Sequence, residues 1–308
     1  MFANMFGGGG GNFNFGGGGG GKRARGRGSG GGGSGDGIFE SMFEGMGGMG
    51  GMGGMGGMGG PGRGGGGGRR DQRKKPPKEL FPKNSSTGIA PLGRAKFPDA
   101  TSKFLWVVAF YSNDSAECAA AQPFLEKFAA AARGTFKVGA VNCRRSADDT
   151  KFCSQYGVDV KKLPAFGVVV QGKLTLYDKV KATPSMKGLH GFAVEYVPMD
   201  RVLSCNHPDK VQKRLHDPAA AQKKMGYVLL LTDKYETSPK YASLAYRYRD
   251  HFIFGESRGS TLIMAQHYKV KKYPVLIAFT LRGKDAVMSR LEDLRANDIG
   301  EWLEKIAK

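Results

Sequence analysis

FLWVVAFYSNDSAECAAAQP, residues Phe104 to Pro123, is a hydrophobic run that stops at a turn and restarts as a helix. From Phe104 to Tyr111 the β-branched and aromatic side chains follow one another with no polar alternation. That pattern predicts a strand buried on both faces. Ser112, Asn113 and Asp114 are turn formers and end it. A helix should follow at once. Asp114 or Ser115 can accept the hydrogen bonds of the first free backbone N–H groups, and Glu117 stands three residues after Asp114, as in a capping box. Cys118 then falls in the first helical turn, with Pro123 one turn further on, where it should kink the helix.

This order of strand, turn, cysteine and helix proline resembles the active-site segment of thioredoxin and protein disulfide isomerase domains. There a buried strand runs into W-C-x-x-C, and a helix proline follows the second cysteine at the offset seen from Cys118 to Pro123. Ser115 replaces the first cysteine, and Asp114 stands where the tryptophan would be. Counting back from Ser115, Ala109 occupies the place where catalytic members carry a buried carboxylate that moves protons for the resolving thiol. A serine hydroxyl is too weak an acid to supply a thiolate-like nucleophile, and it cannot form a disulfide. The resemblance therefore implies a scaffold that binds and does not oxidise. It offers no catalytic residue, a degenerate Ser115/Cys118 site, and no cofactor.

Downstream, Phe136 to Asn142 reads as a strand and DDTKFCSQYGV as a helix. KKLPAFGVVVQGKLTLYD reads as two strands around a Gln171-Gly172 turn, and Ser185 to Tyr196 as a closing helix. The succession βα, βα, ββ, α is the thioredoxin order. Leu163-Pro164 opens a strand where that family has its cis-proline, although a proline starting a strand is also an ordinary edge device. The first domain is read as 96–198 and the second as 199–308, with 199–226 as a connection. Tyr227 to Thr232 is then a buried strand, and Ser238-Pro239 is an N-cap and first position for a helix to about Tyr248. QHYKVKKYP parallels SQYGVDVKKLP of the first domain, so the module occurs twice. The second copy is read as free of cysteine, with DKYETSPK at its active-site position. The fold class expected is α/β: two tandem thioredoxin-like domains, each a mixed central sheet flanked by helices, after a disordered arm.

That arm is read as residues 1–95. The chain has 308 residues and 50 glycines, which crowd into its first part. Glycine's entropy cost and the low hydrophobicity forbid a packed core there. Ile38 to Glu44, IFESMFE, is the one amphipathic island. A Met-Gly-Gly repeat follows (Met46, Met49, Met52, Met55, Met58), too glycine-rich for a helical methionine stripe. Arg69 to Lys78 is a basic, proline-bearing linker. The text MFGGGGGNFNFGGGG with DGIFESMFEG resembles the Gly/Phe-rich linker of DnaJ-type co-chaperones. Such J proteins of the endoplasmic reticulum include members with thioredoxin-like domains. The resemblance implies a J domain that this sequence does not contain, either cut off in a truncated gene model or lost in a paralogue, and an Hsp70 partner if that domain is missing upstream. His207-Pro208-Asp209, the J-domain tripeptide, is read as a chance match and an ordinary helix start, because Pro198 interrupts the text before it.

There are 47 basic and 27 acidic side chains, and residues 1–80 hold 11 and 5 of them. Most of the net charge of +20 therefore lies on the folded part and favours acidic partners without specifying nucleic acid. No run of 18 apolar residues predicts a membrane span. Cys118, Cys143, Cys153 and Cys205 allow three full pairings. Disulfide isomerase relatives often carry a cysteine pair after the second strand and on the next helix, so the resemblance implies a structural Cys143–Cys153 disulfide and an oxidising compartment. Two reduced thiols in a cytosolic protein is the other reading. The spacing lacks the close ligand pairs of zinc sites, and no metal is expected. Cys118 reads as a small core residue, with single-thiol capture of clients as the sharper alternative.

Client contact is expected at Ser115, Cys118, Leu163 and Pro164, with Phe110 and Tyr111 in the core and supporting the loop. The function expected is a folding co-chaperone that binds unfolded or thiol-bearing clients. Its place is the endoplasmic reticulum lumen if a signal peptide is missing upstream, and the cytoplasm otherwise. An RNA-associated protein using the Arg/Gly-rich arm and a weak single-cysteine oxidoreductase are the alternatives.

Overall fold

Ile89–Leu92 (β1), Trp106–Tyr111 (β2), Lys137–Asn142 (β3), Ala165–Val170 (β4) and Lys173–Leu176 (β5) form one sheet in the order β1-β3-β2-β4-β5. β1, β3 and β2 run parallel, while β4 and β5 are antiparallel to them and to each other. The computed structural model describes residues 79–83, 86–178, 184–282, 285–294 and 299–307. The readings of the arm up to residue 78 lie outside them.

The central strand forms as its composition requires. Val107, Val108 and Phe110 are wholly buried and Ala109 nearly so, and full burial of each large apolar side chain contributes about 1.5–3 kcal/mol. Ala116–Ala131 (α1) covers one face of the sheet. Its buried residues Cys118, Ala121, Leu125, Phe128 and Ala129 recur at the spacing of one helical stripe. Phe124 meets Phe166 of β4 edge-on at 5.9 Å. Ala147–Gln155 (α2) and Met186–Val194 (α3) complete the layers. Gln171 and Gly172 both take positive φ, 51° and 78°, the conformation a two-residue hairpin turn needs.

The second sheet repeats the pattern. Val202–Ser204 (β6), Gly226–Leu231 (β7), Phe252–Ser257 (β8), Val275–Arg282 (β9) and Asp285–Leu291 (β10) stand in the order β10-β9-β7-β8-β6. Its helices are Pro208–Val211 (α4), Asp217–Ala221 (α5) after a π turn at Gln212–His216, Pro239–Arg247 (α6), Leu262–His267 (α7) and Ile299–Ile306 (α8). Cis peptides precede both Pro164 and Pro274, at the heads of β4 and β9. The protein has two tandem thioredoxin-like domains.

The sequence reading missed two elements. β1 lies within residues assigned to the arm, because IAPL is short and carries Pro91, which an edge strand tolerates. Residues 199–226 are no plain connection. They hold β6 and the α4–α5 stretch, which corresponds to the opening unit of a thioredoxin sheet, and closely spaced prolines masked it. Cys205 follows β6, its N–H bonded to the Glu256 carbonyl at 2.8 Å. The second domain is therefore not free of cysteine.

The domains meet through side chains as well as sequence. The Tyr246 hydroxyl and Arg249 Nη2 both donate to the Ser102 carbonyl at 3.3 Å. The Phe104 ring has Lys137 Nζ at 3.7 Å and the Arg247 guanidinium at 4.9 Å from its centroid. Burial, and then Arg247, lowers the Lys137 pKa.

Candidate functional site

The sheet register sets the site. Phe110, next to last in β2, pairs with Ala165, the first residue of β4. Pro164 therefore lies at the end of the sheet where β2 gives way to the Ser112–Ser115 turn and α1 begins. Ser115 is the N-cap of α1. Its Oγ accepts from the Cys118 N–H at 3.2 Å and donates to Glu117 Oε2 at 2.7 Å. Asp114 takes no part in the cap, so the capping-box alternative gives way to a bond between Ser115 and Glu117. That bond, chiefly, holds the Glu117 carboxyl below its usual range.

Of the four client-contact residues expected, only Ser115 reaches solvent. Cys118 is 2% exposed, and the Ser112 N–H points at its sulfur across 3.4 Å. Leu163 and Pro164 are also buried. Their side chains act as packing, and what remains accessible is the helix rim of Asp114, Ser115, Ala116 and Glu117. Ala109 is 3% exposed, so no carboxylate occupies that core position.

Glu79, which the sequence reading left in the linker, lies on the other side of β2. Tyr111 donates its hydroxyl to Oε1, Asn113 Nδ2 donates to Oε2 at 3.2 Å, and Asn142 Nδ2 donates to Oε1 at 3.4 Å. The Leu80 N–H returns a bond to Asn113 Oδ1 at 3.2 Å, and Phe81 meets Tyr111 edge-on at 4.9 Å. Burial, then the Glu79 carboxylate, pushes the Tyr111 hydroxyl far above its ordinary pKa, so it remains a donor. The one cue in the sequence was the apolar pair Leu80-Phe81 directly after a basic run.

Cys143 and Cys153 are bonded, with sulfurs 2.01 Å apart and Cα atoms 5.8 Å apart. They tie the end of β3 to α2, and the Thr150 hydroxyl closes the same loop on the Cys143 carbonyl at 2.8 Å.

At the matching end of the second sheet there is no thiol on the surface. Cys205 is buried, and burial pushes its thiol up to about 11, against Arg214 and Lys210. The loop before α6 closes over Glu256, which is 1% exposed on β8. The Thr237 hydroxyl donates to Glu256 Oε1, Arg258 Nε lies 3.3 Å from the same oxygen, and Oε2 has no hydrogen-bond partner among the described residues. Burial raises the Glu256 pKa above 4.5, against Thr237 and Arg258. The native state then holds a proton that the unfolded state has released, so stability falls as pH rises from the unfolded value through the folded one. Thermal melts should show wild type losing a few degrees of Tm relative to Glu256→Gln as pH rises above about 4.5. A pH-independent difference would contradict this account.

His207-Pro208-Asp209 starts α4, with His207 Nδ1 accepting the Asp209 N–H at 3.3 Å. Among the described residues no helix is long and apolar enough to cross a membrane, and no three His, Cys, Asp or Glu side chains are gathered to hold a metal.

No family model matches the chain. A candidate protein disulfide-isomerase of Dictyostelium discoideum is 25% identical over 177 residues, covering 57% of this chain. The chain spans 41% of that relative's length. Among solved structures, ERdj5 in its form II aligns at 16% identity and TM-score 0.41, over 71% of this chain and 30% of that one. Human ERp44 in form I aligns at 12% identity and TM-score 0.31, over 71% and 56%. The strand order of both sheets and the isomerase match agree: the chain carries tandem thioredoxin-like domains similar to those of protein disulfide isomerases.

Proposed function

We propose that this protein is a folding factor, related to J proteins of the endoplasmic reticulum lumen, that holds unfolded or thiol-bearing clients without exchanging disulfides itself. The observation that carries the reading is the Ser115 hydroxyl, bonded into the helix cap where the family's nucleophilic sulfur would stand. Cys118, shielded beneath it, supplies no accessible thiol. An extended client needs neither group, since backbone at the Leu163-Pro164 turn can pair with a peptide strand while the α1 rim contacts its side chains. The Cys143–Cys153 bond supports an oxidising compartment. The Gly/Phe-rich text supports the J-protein kinship, and an Hsp70 would be a partner only if a J domain lies upstream.

The test is aggregation of a reduced, unfolding client alongside insulin reduction. Wild type should suppress aggregation and leave insulin reduction at background. Ala116→Arg, on the exposed rim, should weaken client binding about tenfold, or about 1.4 kcal/mol, with the circular dichroism spectrum unchanged. Insulin reduction that Cys118→Ser abolishes would overturn the reading.

A further inference from the structure

We propose that Glu79 is a positioning residue for the client mouth of the first domain, a carboxylate supplied from ahead of the domain that sets the shape of the Ser112–Ser115 loop. This rests on the client-binding reading above. Donors from three places converge on it: Tyr111 at the end of β2, Asn113 within the loop, and Asn142 at the end of β3. Asn113 is held at both ends of its amide, since its oxygen also accepts the Leu80 N–H. The buried Phe81 ring, set against Tyr111, anchors the segment that delivers the carboxylate.

The loop needs such help. Its own bonds are long: the Asp114 N–H reaches Ser112 Oγ at 3.3 Å, and the Ser115 N–H reaches the Ser112 carbonyl at 3.4 Å. Both lie beyond the usual range for N–H···O bonds. The Asn113 bond to Glu79, at 3.2 Å, lies within that range, and bonds to a carboxylate are about twice as strong as neutral ones, so Glu79 adds the firmer hold on the loop. Ser115, the only expected contact residue that reaches solvent, directly follows.

The second domain shows what the first lacks. Leu230 pairs with Leu276 and Glu256, and Ala109 pairs with Phe166 and Ala140. Leu276 and Phe166 each stand two residues after a cis-proline, so Ala140 occupies the register position of Glu256. In the second domain that internal acid side chain meets the loop through Thr237 and lies beside Arg258, whose Nη1 donates to the Tyr235 carbonyl at 3.1 Å. In the first domain an alanine fills the place, and Glu79 supplies the carboxylate from outside. It does so over β2 and β3, on the side of β2 away from β4 and the Pro164 turn.

The experiment uses the full chain with Glu79→Ala and Glu79→Gln. Hydrogen exchange reads the loop without reference to any client, and the fluorescence anisotropy of a labelled, alkylated insulin B chain reads the mouth. Glu79→Ala should speed exchange at residues 112–118 about tenfold and weaken peptide binding about tenfold, with exchange in β7–β9 unchanged. Glu79→Gln keeps an acceptor for Tyr111 and Asn142 and loses the one for Asn113, so it should fall between. Unchanged exchange in Glu79→Ala would overturn the proposal, and so would faster exchange with unchanged affinity, which marks a merely structural clamp. If wild type itself fails to bind the peptide, the client reading and the mouth-positioning role both fall, while exchange still decides whether Glu79 holds the loop.

Discussion

Ser115→Cys should turn the chain, proposed above to lack insulin-reducing activity, into a weak dithiol oxidoreductase. The substitution puts a thiol at the N-cap of α1, three residues before Cys118 in the first turn, the spacing at which the family closes its disulfide. The helix N-terminus favours the thiolate. Glu117 opposes it: its carboxylate, which now accepts the Ser115 hydroxyl at 2.7 Å, would stand beside the new sulfur. Ala109 offers no proton relay for the buried Cys118, so the resolving step should be slow. We expect loss of two free thiols on mild oxidation and a measurable turnover, well below that of a catalytic isomerase. Losing the serine cap should cost about 1 kcal/mol of stability. Two persistent thiols and background turnover would show that the α1 mouth is not the family's redox site.

Replacing both Cys143 and Cys153 by serine should give the largest loss of stability. The bond closes a loop of sequence separation 10, for which unfolded-state entropy assigns roughly 2–3 kcal/mol. Both sulfurs are wholly buried, so two new hydroxyls must also find partners, and each unmet one adds about 1–3 kcal/mol. In thermal melts the first domain should lose roughly 10 °C or more. A reducing agent should lower the wild-type midpoint in the same direction and leave the double variant unmoved. Equal midpoints for wild type and the double variant would show that the bond contributes nothing to the fold.

The helices and strands around Cys118 were legible because their causes are local. An unbroken apolar run makes β2, a serine before an alanine-rich stripe makes α1, and Gln171-Gly172 makes the hairpin turn. The repeated K-K-x-P phrase gave the second domain away for the same reason. β1 and β6 were not legible. They are short strands, one bearing a proline, and each is stabilised by pairing with a neighbour far along the chain, Ile89 with Val138 and Val202 with Phe254. The degenerate motif named Ser115 and Cys118, but burial removes three of the four expected contacts from the surface.

By itself the sequence determined that the first domain has no thiol at position 115, that two modules of one kind follow each other, and that glycine dominates the arm. Those are facts of residue type and local spacing. Tertiary structure alone decided that Glu79 holds the loop before α1, that Glu256 does so in the second domain, and that Cys205 directly follows a sheet strand, β6, and does not lie in a plain connection. A hydrogen bond between Glu79 and Asn142 joins residues 63 positions apart, and no periodicity in the chain encodes such a partner. Only the packing of the sheet brings the two together.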